Sequence, residues 1–254
     1  MYHENSFIKL ILVYINILSL DRSRSTILNL YLSKILNGIA LGEVSSTINP
    51  KFGEIKSLQS SKCACGKNKN NCKFWSKILN SSNVKSEFIK KTEVGTFIES
   101  SKTIKHSKWL RKNHRNNLVG IFLIRSFDEW SNSVLRVIKI KQEGLFKNIF
   151  IHKGFRKSAL RLFLRRIYLL RLFEYYLTNI KLIFEVKEYK NKFFIFSSND
   201  IKNLFVFKDF YCKSDNHIIR GNRSKSSFSK LKKWNSKECF HVRLIYKIFI
   251  KLKS

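Results

Sequence analysis

The stretch LSLDRSRSTILNLYL, Leu18–Leu32, decides how the chain is read. It closes an apolar run, FIKLILVYINILSL (Phe7–Leu20), that is rich in isoleucine and contains Val13 and Tyr14. Such a run reads as a first strand buried on both faces, the pattern of a parallel sheet. Beyond it, Ile27, Leu28, Leu30, Tyr31, Leu32, Ile35 and Leu36 recur at helical spacing, and Asn37-Gly38 ends that helix with a left-handed cap. Between strand and helix stand Arg22, Ser23, Arg24, Ser25 and Thr26. Ligands of open α/β sheets bind at the carboxyl ends of strands. A helix N-terminus there offers N–H groups and partial positive charge. Hydroxyls and arginine forks add donors suited to phosphate or sulfate. The plainer alternative is a Ser/Thr N-cap on an ordinary helix. The Gly-x-x-x-x-Gly-Lys pattern of a nucleoside-triphosphate loop is missing, which argues against a standard Mg-nucleotide site.

The rest of the chain repeats the alternation. IALGEV is a short second strand ending at Gly42-Glu43, and Gly53 to Asn71 is polar and loop-like. NCKFWSKILN starts a helix, EVGTFIESSK is a strand, and NLVGIFLIRS is a buried strand followed by the helix SFDEWSNSVLRVIKI. Lys153 to Tyr189 reads as helical and dense in Arg and Leu, and KFFIFSSNDI as a further strand. Alternating strands and helices predict an α/β fold with a mostly parallel central sheet. No linker rich in Gly, Pro or Ser divides residues 1–254, so one domain is expected, with a basic tail from about 226 to 254. A second strand end carries Arg125, with Ser133 about two turns into the next helix. That pair would grip a second phosphate, although a lone strand-end Arg also serves as a surface or salt-bridge residue.

The net charge of +33, from 50 Lys+Arg against 17 Asp+Glu, favours an anionic partner. Abundant Lys, Asn, Ile and Phe with a single Pro also fit an A/T-rich coding bias, so charge alone does not select the partner. No run reaches the roughly 18 apolar residues of a membrane helix, and the N-terminal run lacks a basic start and a small-residue cleavage site. A cytoplasmic protein is expected. The segment RKSALRLFLRRIYLLRLFEYYL is amphipathic in places; a basic surface there suits an acidic acceptor or peripheral contact with an anionic membrane, and a core helix with a solvated basic face is the plainer alternative.

Of five cysteines, Cys63, Cys65 and Cys72 crowd together, while Cys212 and Cys239 lie far along the chain. Three Cys without a nearby His or fourth Cys do not complete a zinc set, so no metal is expected. Reduced thiols packing a loop are the default; a disulfide from Cys72 to Cys63 or Cys65 belongs to an oxidising compartment.

Taken in order, these residues resemble the PAPS-dependent sulfotransferases, whose donor is 3'-phosphoadenosine 5'-phosphosulfate. The family's 5'-phosphosulfate loop, R-S-G-S/T-T, is similar to Arg22-Ser23-Arg24-Ser25-Thr26. Its 3'-phosphate pair, a strand-end Arg and a Ser eight positions on, is matched by Arg125 and Ser133. Its G-E, C-x-C-G…C-x-F-W, D/E-S-S-K and H-x-x-x-G-N-x-x-R/K motifs are matched by Gly42-Glu43, CACGKNKNNCKFW, Glu99–Lys102 and HIIRGNRSK, up to Lys225. The resemblance implies a P-loop-like three-layer α/β domain and sulfuryl transfer to an acceptor hydroxyl or amine, without a metal. It implies Glu43 as base and Lys102 as the group stabilising charge on the bridging oxygen. Arg22, Ser23, Arg24, Ser25 and Thr26 would hold the 5'-phosphosulfate, Arg125 and Ser133 the 3'-phosphate, and Arg223, with Arg220 and Lys225, would close over the phosphates. For Glu43 the alternative is an ion pair with a nearby Arg; for Lys102, a solvated surface side chain; for Arg223, a basic tail.

Three positions depart from the family pattern. Asp21 stands where a small residue is usual and needs Arg22 or Arg24 as a partner beside a dianion. Arg24 replaces a Gly whose backbone freedom lets the loop approach a phosphate. Phe127 replaces Pro. A degenerate enzyme that keeps the pocket without activity is therefore one alternative. A non-catalytic nucleic-acid binder is the other, drawing on the charge and the 14% aromatic content. Against nucleic acid, the aromatics sit in apolar segments and no helix-turn-helix, RRM or zinc-finger motif is present.

Overall fold

The apolar runs become the strands of one sheet. A computed structural model describes residues 13–48, 63, 65, 67–68, 71–114, 117–145, 164–196 and 240–251. Its strands are β1 (Tyr14–Ser19), β2 (Ile39–Gly42), β3 (Phe97–Glu99), β4 (Leu118–Leu123) and β5 (Asn191–Ile195). Its helices are α1 (Ser25–Ile35), α2 (Ser45–Ile48), α3 (Trp75–Leu79), α4 (Val84–Thr92), α5 (Ile104–Asn113), α6 (Phe127–Leu145), α7 (Tyr168–Lys187) and α8 (Phe240–Lys251). The sheet order is β2-β3-β1-β4-β5, and every pairing is parallel.

Side chains alternate across a strand, so each strand feeds two cores. Ile15 and Ile17 of β1 and Val119, Ile121 and Leu123 of β4 pack under Leu28, Tyr31 and Leu32 of α1. Leu18 and Phe122, one residue out of phase, pack on the other face with Tyr175, Leu182, Ile183 and Val186 of α7. Register holds these layers together, with Ile17 opposite Ile121 and Leu18 opposite Phe122. Gly120 of β4 is required beside Tyr189, which lies between α7 and β5. A Cβ there would lie 2.6–2.8 Å from three ring atoms of Tyr189. That ring is held by hydrogen bonds from Asn16 Nδ2 (2.8 Å) and with Ser107 Oγ (2.6 Å).

This order places a topological switch between β1 and β4. The chain leaves β1 towards β2 on one side of the sheet and leaves β4 towards β5 on the other. The helices that follow, α1 and α6, therefore diverge and leave a crevice at the carboxyl ends of the two strands.

Two regions differ from the sequence reading. Within the stretch read as a basic tail, Phe240–Lys251 is helical and buries Val242, Ile245 and Phe249 in the α7-side core. Their i, i+3, i+7 spacing is obscured in the sequence by interleaved Arg and Lys. In α7, Arg171 and Glu185 are buried, whereas Leu169, Phe173, Leu177 and Phe184 are exposed, so its outer face is apolar as well as basic. Among the described residues, no helix is long and apolar enough to cross a membrane.

Candidate functional site

The crevice holds a cavity of about 470 Å³ lined by Asp21, Arg22, Arg24, Ser25, Thr26, Ile27, Glu43, Lys102, Arg125 and Ser133. Four separate chain segments thus converge at the switch point, each bringing residues that the sequence singles out. Ser23 is buried beneath the loop, its N–H donating to Leu20 O at 3.2 Å, and is not among the lining residues. Arg223, Arg220 and Lys225 lie outside the described residues.

The first wall is the turn from β1 into α1. Arg22 and Arg24 both adopt left-handed backbone, with φ of 66° and 64°. Arg24 is the N-cap and makes no side-chain capping bond, so the Ser/Thr cap alternative does not describe this helix start. Instead the first turn carries Ser25 and Thr26 and no acidic residue. A left-handed residue other than Gly costs about 1–2 kcal/mol. The loop thus keeps the conformation that a Gly at position 24 would favour, and carries a cation in addition. The Arg24 Nη1 atom is buried without a hydrogen-bond partner among the described residues, a donor left for an anion.

Arg125 ties this loop to the second wall. It follows β4, donates from Nη1 to the Arg22 carbonyl at 2.8 Å, and donates from Nε to Glu129 Oε2 of α6 at 3.0 Å. Arg24 Nη2 lies 3.6 Å from the same carboxylate oxygen. Burial lowers the Arg125 guanidinium below the ordinary arginine value; Glu129 opposes the shift, and Arg24 adds to it. Tyr175 of α7 donates to the Arg125 carbonyl at 2.7 Å, fixing the strand end. Phe127, at the first position of α6, packs edge-on against Tyr168 and Tyr175. That first helical position is also the one Pro favours.

Asp21 has the partner it needs, but from an unforeseen place. Its carboxylate accepts from Arg165 Nη1 at 3.2 Å, not from Arg22 or Arg24. Arg165 also donates to Glu174 from Nε at 2.8 Å. Burial alone would lower Arg165; Glu174 and Asp21 more than offset it and raise it. Arg171, buried in α7, holds the Arg165 segment by donating to the carbonyls of Arg165 and Arg166 at 2.8 and 2.6 Å and to Ser131 Oγ at 2.8 Å. Trp130 Nε1 donates to the Asp21 carbonyl at 2.8 Å. Arg165, Arg171, Glu129 and Trp130 have no single-residue signature in the sequence; only the fold brings them to this loop.

The third wall joins β2 to β3. Gly42 has φ 70° at a register shift in the β2–β3 pairing, which turns the chain so that Glu43 enters the cavity. From the end of β3, Lys102 Nζ reaches Glu43 Oε1 at 2.6 Å. The ion pair considered for Glu43 therefore exists, but with the other candidate catalytic residue instead of an Arg. A buried chain of hydrogen bonds ties together the neighbouring ends of β2 and β3. His106 Nε2 lies 2.9 and 3.0 Å from the two Glu99 carboxylate oxygens. Ser101 Oγ donates to Glu99 Oε2 at 3.2 Å and accepts from the Ser45 N–H at 2.9 Å. Glu99 and the burial of the ring together push the Tyr14 hydroxyl well above the ordinary tyrosine value, burial being the larger cause.

Chemically, the cavity presents three arginines, a lysine, two hydroxyl side chains in the first turn of α1 and one on α6, against two carboxylates, Asp21 and Glu43, each with a cationic partner. It is suited to a polyanion held at both ends. The chain matches no known family model and no curated protein.

Proposed function

We propose that the chain is a sulfotransferase, a P-loop-like α/β enzyme acting in the cytoplasm that moves a sulfuryl group from 3'-phosphoadenosine 5'-phosphosulfate to an acceptor hydroxyl or amine. The observation that carries the reading is the convergence of Arg22, Arg24, Ser25, Thr26, Glu43, Lys102, Arg125 and Ser133 on one cavity. They come from segments scattered over more than half of the described residues and meet at the carboxyl ends of the strands. The size also fits: about 470 Å³ lies within the range of pockets for small ligands. The buried, unpartnered Arg24 Nη1 fits an anionic group.

In this reading Ser25, Thr26 and the N-terminus of α1 hold the 5'-phosphosulfate, with Arg22 and Arg24 beside them. Arg125 and Ser133 hold the 3'-phosphate. The bound donor supplies an activated sulfuryl group whose transfer, like phosphoryl transfer, depends mainly on in-line positioning and charge stabilisation. Glu43 accepts the acceptor proton, and Lys102, already 2.6 Å from that carboxylate, orients it and stabilises negative charge on the bridging oxygen. Arg165, which Asp21 shares with Glu174, pairs with it and offsets part of its repulsion of the donor's phosphates. That pairing favours an active site over a degenerate one.

Comparing ligands over a range of salt tests the reading against nucleic-acid binding. The product 3'-phosphoadenosine 5'-phosphate is expected to bind one-to-one and to displace the donor. Single-stranded oligonucleotides are expected to bind more weakly and without saturating this cavity. Length-dependent, steeply salt-dependent oligonucleotide binding, with no saturable binding of the bisphosphate, would transfer the cavity to the nucleic-acid reading.

A further inference from the structure

Away from the cavity, three sulfur atoms meet. Cys72 Sγ lies 3.6 Å from Cys63 Sγ and 3.7 Å from Cys65 Sγ, and all three are within 4.8 Å of one another. A disulfide would need about 2.05 Å. Ligands on a tetrahedral zinc with Zn–S near 2.3 Å stand about 3.8 Å apart. Both separations are far too long for a disulfide and match the spacing of sulfurs that share one zinc, a spacing that thiols in hydrogen-bonding contact also reach. From these separations we propose that Cys63, Cys65 and Cys72 bind one zinc ion as thiolates, with water or a further side chain in the fourth position.

The surroundings agree with a built site. The Cys63 N–H donates to the Lys67 carbonyl at 2.8 Å, which holds these two residues together. The Cys65 N–H points to the Cys63 sulfur and the Lys67 N–H to the Cys65 sulfur, so backbone donors face two of the three sulfurs. Cys63 and Cys72 are buried in the second hydrophobic core with Phe74, Trp75, Val44 and Ile48. Cys65 is exposed, which leaves the cluster an entry side for the ion. Three thiolates and a divalent ion carry one net negative charge, and the flanking sequence carries Lys62, Lys67, Lys69 and Lys73. Sequence spacing alone does not reveal this site, because a fourth ligand is missing from the motif and only the folded turn shows that three sulfurs share one point.

The site would brace the core beneath Val44 and Ile48, on either side of the turn that follows Glu43. It is independent of what the cavity binds. Binding displaces the three thiol protons, so affinity rises with pH. The test is metal analysis of the full chain purified with zinc under reducing conditions, with cobalt substitution as a spectroscopic probe. One zinc per chain is expected, together with thiolate-to-cobalt charge-transfer absorption of three-sulfur intensity. Cys65→Ser, at an exposed position, is expected to fold, to lose at least tenfold in zinc affinity and to lose about a third of that absorption. Folded wild-type chain without stoichiometric zinc would overturn the proposal, whether its thiols prove reduced by thiol titration or oxidised by mass. So would a Cys65→Ser variant with unchanged affinity and cobalt spectrum.

Discussion

Removing the Arg125 side chain tests whether the loop between β1 and α1 is held before any ligand arrives. The Arg125 side chain is 13% exposed, and its Nη1 reaches the Arg22 carbonyl at 2.8 Å. A hydrogen bond from a charged donor contributes about 1.5–3 kcal/mol. Its second bond goes to Glu129, whose side chain is 40% exposed, so that pair adds at most about 1 kcal/mol after solvent screening. Some of this is offset, since Arg125→Ala also relieves repulsion with Arg24. The expected loss is about 2–3 kcal/mol. Urea denaturation of wild type, Arg125→Ala and Arg125→Lys measures it, with Lys expected to recover less than half because it lacks the fork. Hydrogen exchange on amides 22–27 should rise in both variants. A change in stability below about 0.5 kcal/mol with unaltered exchange would refute the claim that Arg125 organises the loop. The same residue is therefore a poor sole probe of binding, because its loss disturbs the loop as well as the proposed ligand contact.

Three other outcomes follow from the geometry. Gly120→Ala drives a Cβ to within 2.6–2.8 Å of the Tyr189 ring, which Asn16 and Ser107 hold in place; overpacking and a strained hydrogen bond predict a loss of about 2–4 kcal/mol in denaturant midpoint analysis, and a neutral result would mean the ring is not fixed there. Glu43→Gln should lower the transfer rate at least about a hundredfold with little change in donor affinity, measured by release of the bisphosphate product; an equal rate would remove Glu43 as base. Tyr31, buried under the sheet, is pushed up to about 12 by burial, whereas an unfolded tyrosine deprotonates near 10. The folded state holds that proton longer, so this contribution is complete below about pH 10 and is lost as pH rises towards 12; Tyr31→Phe should flatten stability over that window, and an unchanged alkaline profile would count against the burial.

Much of the fold was legible because its signals are local. β1, β2, β4 and β5 are apolar runs ending in polar residues, and α1 and α6 show helical spacing directly after them. The helices α4 and α5 escaped the reading because KSEFIKKT and IKHSKWLRKN bury few residues and present mostly charge. α8 escaped because its core stripe is narrow and set among basic residues. The site was legible as motifs, since Arg22–Thr26, Glu43, Lys102, Arg125 and Ser133 each sit at a strand end or on the helix after it. Its supporting contacts were not. Arg165 reaches Asp21 across 144 residues, and Tyr189 reaches Asn16 across 173, and no sequence pattern records such a distance. The left-handed Arg24 shows the opposite case, where the sequence departs from Gly and the backbone conformation nevertheless stands.

The most direct measurement is calorimetric titration of 3'-phosphoadenosine 5'-phosphate into wild type and Ser133→Ala, with adenosine 5'-monophosphate as the control ligand. Ser133 lines the cavity from α6 without taking part in the Arg125–Arg22 contact, so its loss leaves the loop intact. The account predicts one-to-one micromolar binding to wild type, at least tenfold weaker binding to Ser133→Ala, and equally weak binding of the monophosphate to both. Absence of saturable binding to folded wild type, or identical affinities of the two proteins for the bisphosphate, would contradict it.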